Sequence, residues 1–141
     1  MHKLDDVLYT GVATATGGRG GKIASDDGRL EATLSVPKGL GGDDGKGTNP
    51  EQMFAAGYAA CFIGALGFVA GQEKVKLPDD VKVTGEVGIG PIATGFAIKV
   101  KLIVDLGDVD TDKAALVEKA HVVCPYSNAT RGNIEVEFEI V

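Results

Sequence analysis

Two cysteines stand in the 141-residue chain, Cys61 and Cys124, and they are the side chains best suited to chemistry. Without CxxC spacing they leave three readings: a transient redox couple, part of a metal site, or two unrelated buried thiols. A nucleophilic role puts a demand on Cys61. A thiol with an ordinary pKa near 8.5 is only a few per cent thiolate at about pH 7. Cys61 also lies about three turns into an apolar stretch, too far in to feel a helix N-terminus. Lowering its pKa by about two units requires a neighbouring cation. The candidate is Arg19, set in Gly17-Gly18-Arg19-Gly20-Gly21, with Glu51 able to hold the guanidinium in a two-pronged grip.

Other spacings are weaker. Gly-Gly-Arg-Gly-Gly-Lys resembles a phosphate loop, but Thr16 stands where the first glycine belongs and Ile23 where a Mg²⁺-binding hydroxyl belongs. His121-x-x-Cys124 could join Cys61 on a metal, yet no CxxC or HxxxH pair completes a ligand set. No metal is expected.

The element that must position Cys61 runs from Asn49 to Gly71. Asn49 is a natural N-cap, Pro50 suits the first turn, Gln52 completes a capping-box pattern and Gly71 supplies the stop. No charge occurs between Glu51 and Glu73, so most of the helix circumference expects burial. The run is marginally long enough to span a bilayer. It is rich in Gly and Ala rather than Leu and Ile, however, and lacks basic or aromatic flanks, so a core helix is expected and not a membrane span. Glu51 and Cys61 are ten residues apart, about 15 Å along a straight helix. Either the helix breaks near its start, or Glu51 serves Cys61 of a second copy. The second arrangement would also cover the apolar helix.

Around this helix the pattern is strand-like. Val7–Thr16 reads as a strand, Ile23 continues extended, Asp26-Asp27-Gly28 forms a hairpin turn, and Leu30–Val36 alternates. Beyond the helix, Val81–Val87 and Phe96–Leu102 alternate about a turn at 90–95. Asp110 or Thr111 caps a second helix that ends at Cys124-Pro125, and Ile134, Val136, Phe138 and Ile140 mark a last, inward-facing strand. Antiparallel strands with segregated helices predict an α+β fold in a single domain, residues 1–141. The net charge of −6 speaks against nucleic acid as a partner. Acidic residues at the N-terminus, where a signal peptide would be apolar, predict a cytoplasmic protein.

Asn-Pro-Glu-Gln-Met-Phe-Ala-Ala-Gly-Tyr-Ala-Ala-Cys-Phe, His-Val-Val-Cys-Pro-Tyr-Ser-Asn-Ala-Thr-Arg-Gly-Asn and the earlier Gly-Gly-Arg together resemble the organic hydroperoxide resistance (Ohr) proteins of the OsmC/Ohr superfamily, in order along essentially the whole chain. One departure is Gly20, where the family often carries Asp. The resemblance implies an OsmC-like fold with a long central buried helix, an intertwined homodimer with active sites at its interface, and a thiol peroxidase with no bound cofactor. It makes Cys61 the peroxidatic cysteine, Cys124 the resolving one, and Arg19 with Glu51 the activating pair. It also implies recycling by a lipoyl-type dithiol such as dihydrolipoamide, with a lipoylated protein as partner. Phe54, Phe68, Met53 and Phe62 would wall an apolar pocket suited to alkyl or lipid hydroperoxides. Alternatives from the same residues are a redox-sensing thiol protein and an OsmC-branch peroxidase with another substrate range.

Overall fold

The computed structural model describes residues 1–141, which pack as two compact units, Met1–Pro50 and Glu51–Val141. In the first unit, β1 (Ala13–Thr16), β2 (Lys22–Ser25) and β3 (Glu31–Thr33) form an antiparallel meander. The hairpin turn falls at Asp26–Gly28 as expected, closed by Gly28 N–H donating to the Ser25 carbonyl at 3.1 Å. Two strands are shorter than their alternation predicts. Asp26 N–H donates the last rung to the Val12 carbonyl, and the turn then carries the partner strand away from Val7–Gly11. On the other side, β3 ends at Thr33; Leu34 N–H still donates to the Gly21 carbonyl at 2.8 Å, and Leu34 makes a parallel bridge with Thr48.

In the second unit, α1 (Pro50–Gln72) is followed by β4 (Lys82–Ile92), β5 (Gly95–Asp105), α2 (Lys113–Val123), α3 (Pro125–Thr130) and β6 (Val136–Ile140). The sheet order is β4-β5-β6. β4 and β5 are antiparallel, but β6 runs parallel to β5, with Leu102 opposite Phe138. This corrects the all-antiparallel expectation: the helices between β5 and β6 are a crossover, which returns the chain in the same direction. The expected turn at 90–95 is only Ala93-Thr94, because Gly90 and Pro91 remain in the ladder. Proline is tolerated there because β4 is the sheet edge.

Asp112, rather than Asp110 or Thr111, caps α2, its carboxylate accepting from Ala115 N–H at 3.1 Å. Cys124 ends α2 with extended backbone, as a residue before proline must. Pro125 then starts α3, which the pattern did not foretell.

One face of α1 builds the core. Tyr58, Phe62, Ala65, Leu66 and Val69 pack with Val100, Leu102 and Val104 of β5 and with Leu116, Val117 and Ala120 of α2. The approach of helix to sheet is close at Gly85, where a Cβ would stand 2.8 Å from the Ala55 carbonyl oxygen. Burial is narrower than the uncharged circumference predicts. Ala56, Ala60, Gly64, Gly67, Phe68 and Gly71 lie on an exposed stripe, and it is the small size of most of these residues that limits the apolar area left in water.

Candidate active site

The fold brings the two thiols together. Cys61, half-buried in the middle of α1, and Cys124, fully buried at the α2–α3 junction, have their sulfurs 3.8 Å apart across 63 residues of sequence. A disulfide bond is about 2.05 Å long, so the pair is reduced and within a short closing movement of bonding.

Electrostatics within this unit oppose ionisation of Cys61. Burial pushes its thiol pKa up, and the nearby Cys124 adds to the rise; a backbone N–H from Tyr126 pulls the other way. The cation requirement stated for Cys61 is therefore sharper in the folded chain than in the isolated sequence.

Beside Cys61 lies an open, almost wholly apolar groove of about 460 Å³, walled by Gly64, Ala65, Phe68, Val123 and Pro125. Phe68, expected in the pocket wall, is there. Phe62 is not: it is fully buried on the opposite side of α1, its ring 5.2 Å from that of Phe138 in the core. Phe54 packs edge-on against Tyr58 and Tyr126, at 6.2 and 5.9 Å between ring centroids. Met53 is half-buried two turns before Cys61, away from the groove walls. His121 has its ring edge-on to Phe138 at 4.9 Å, and burial with the nearby Arg131 pushes its pKa down.

Arg19 sits on a single 3₁₀ turn, Gly18–Gly20, in the first unit. Glu51 occupies the first turn of α1. The helix is continuous from Pro50 to Gln72, which removes the break considered near its start and leaves Glu51 about 15 Å from Cys61 along one axis.

Sequence reasoning missed α3 and what it carries. Tyr126 lies over Gly57, where a Cβ would meet the tyrosine hydroxyl at 2.9 Å. Tyr58 Oη lies 2.9 Å from Ser127 Oγ and 3.0 Å from Thr130 Oγ1, all three residues buried. The signal was Pro125 itself, as good a first helical residue as a stop.

A reduced thiol pair at an apolar groove, on a long helix laid across a three-stranded sheet, defines an OsmC-like fold carrying a two-cysteine centre. The profile of the OsmC-like protein family matches residues 42–139. The chain is 59% identical over 137 residues to an organic hydroperoxide resistance protein of Xanthomonas axonopodis pv. citri, covering 96% of each. Among solved structures, the organic hydroperoxide resistance protein of Legionella pneumophila superposes with a TM-score of 0.88 at 47% identity, over 96% of this chain and 98% of that one. OhrB of Bacillus subtilis superposes with a TM-score of 0.85 at 46% identity, over 96% and 100%. The chain thus belongs to the OsmC-like family, in its organic hydroperoxide resistance branch.

Proposed function

We propose that the protein detoxifies organic hydroperoxides as a cysteine-based peroxidase. The observation that carries this reading is the 3.8 Å sulfur pair opening onto an apolar groove. The names of the relatives support the substrate class.

In the proposed cycle the Cys61 thiolate attacks the distal oxygen of ROOH, the O–O bond breaks, and the alkoxide leaves with a proton as ROH. Cys61 becomes a sulfenic acid. The Cys124 thiol then attacks that sulfur, expelling water and forming the Cys61–Cys124 disulfide. This spares Cys61 from over-oxidation. A lipoyl-type dithiol such as dihydrolipoamide, carried on a lipoylated protein, reduces the disulfide by two exchange steps.

Arg19 supplies the positive charge that Cys61 needs, stabilising both thiolate and developing alkoxide, and Glu51 orients it. The unbroken α1 supports assignment of Glu51 to Cys61 of the partner in a homodimer, with the active sites at the interface.

Steady-state consumption of tert-butyl hydroperoxide and of hydrogen peroxide, each with dihydrolipoamide or a monothiol, tests the reading. Fast turnover of the organic peroxide with the dithiol, abolished in Cys61→Ser, is expected. A single stoichiometric oxidation with every reductant offered would overturn it in favour of a redox sensor.

A further inference from the structure

We infer that the buried hydroxyls of Tyr58, Ser127 and Thr130 form a clamp that positions Cys124 for bonding to Cys61. The inference rests on the reading of the two cysteines as a redox couple.

Donor counts order the clamp. Each of the three hydroxyls has one hydrogen to give. Thr130 Oγ1 donates to the Ser127 carbonyl at 3.3 Å, so at 3.0 Å it accepts from Tyr58 Oη. Tyr58 Oη, its hydrogen spent, accepts in turn from Ser127 Oγ at 2.9 Å. The bonds close a ring that leaves from and returns to Ser127. It links the middle of α1, one turn before Cys61, to the third and the last residues of the six-residue α3, whose N-cap is Cys124.

So short a helix is not rigid by itself, since isolated helices of this length do not hold in water. The neighbouring contacts act in the same sense. The Tyr126 ring is packed between Phe54 and Tyr58 above Gly57. The Arg131 guanidinium donates to the His121 carbonyl at 2.7 Å, tying the end of α3 to α2. With α3 held at Tyr126, Ser127 and Thr130, the backbone at the adjoining Cys124 stays put. The sulfurs then cover the difference between 3.8 Å and a bonded length of about 2.05 Å through side-chain rotation. The clamp therefore sets the effective concentration of one thiol at the other, acting through position and touching no substrate. Tyr58, Ser127 and Thr130 are positioning residues.

The test is equilibration of the full-length protein with glutathione buffers, following the exchange protein dithiol plus oxidised glutathione to protein disulfide plus two reduced glutathiones. Tyr58→Phe keeps the ring and removes the central hydroxyl, and Thr130→Val keeps the shape and removes another. Each is expected to lower the equilibrium constant for the Cys61–Cys124 disulfide at least about fivefold, with Thr130→Ser restoring it. Thermal unfolding is measured alongside. A constant changed less than twofold in both variants, whatever happens to the unfolding midpoint, overturns the clamp while leaving the couple intact. A wild-type protein whose thiols never pair overturns the couple, and the clamp with it.

Discussion

If the groove beside Cys61 receives the alkyl part of the peroxide, reactivity must climb with chain length. The groove walls Gly64, Ala65, Phe68, Val123 and Pro125 offer carbon surface. Full burial of a methylene stabilises by about 0.8 kcal/mol. The groove is open on one side, so about half to all of that value applies, or about two- to fourfold in rate constant per methylene. Across the linear hydroperoxides from ethyl to hexyl, four methylenes compound to about 15- to 250-fold, levelling once the groove is full. The assay is stopped-flow oxidation of the reduced protein by each member of the series, read as a second-order rate constant. A companion variant locates the effect. A Cβ built on Gly64 has no atom within 4 Å, so Gly64→Leu can stand in the groove without displacing the rest of the chain, and leucine favours the helix more than glycine does. Its series should be flat, with hydrogen peroxide reacting as in the wild type. A flat series in the wild-type protein, or an unchanged slope in Gly64→Leu, would refute the groove as the alkyl site.

Two other predictions concern the charge at Cys61. Burial and Cys124 both hold the thiol up, and the Tyr126 N–H opposes them; if Arg19 is the activating cation it opposes them too, so Arg19→Ala should move the titration to higher pH and lower the thiolate fraction near neutrality, measured by ultraviolet thiolate absorbance in a Cys124→Ser background. An unmoved titration would remove Arg19 from the site. Mixed dimers of a Glu51→Ala chain with a Cys61→Ser chain should regain activity that neither parent dimer has, because one site then contains both wild-type residues. Persistent inactivity of isolated heterodimers would place Glu51 with the cysteine of its own chain.

How far the sequence foretold this arrangement depended on whether a signal carried direction. The start of the Asn49–Gly71 helix was legible because Asn49-Pro50 is a chemical signal; its stop was not, since the chain stays helical through Gly71 to Gln72 and turns left-handed at Lys74. The two cysteines were legible because the chain has no others. The side of α1 that faces the core was not, since a helix without charges has no polar face to orient it; Phe62 was accordingly placed in the pocket although it packs on Phe138. Alternation in Ile134–Ile140 announced a strand but could not say that it would run parallel to β5. Pro125 reads equally as an end and a beginning, and so α3 went unseen, together with the hydroxyls of Ser127 and Thr130. Val7–Gly11 continue the strand-like pattern, but pairing needs a neighbour, which the Asp26–Gly28 turn takes away after the Val12 rung.

The crossover between β5 and β6 has a consequence for when the thiols can meet. Cys124 lies within that crossover, so its sulfur approaches Cys61 only after α1, the sheet and both short helices have docked. In the unfolded chain a sequence separation of 63 residues makes the two cysteines distant acquaintances, with an effective concentration of about millimolar or below. In the proposed cycle, formation of the bond would thus report completed folding, and the protective disulfide would be available to molecules in which the two sulfurs already stand 3.8 Å apart.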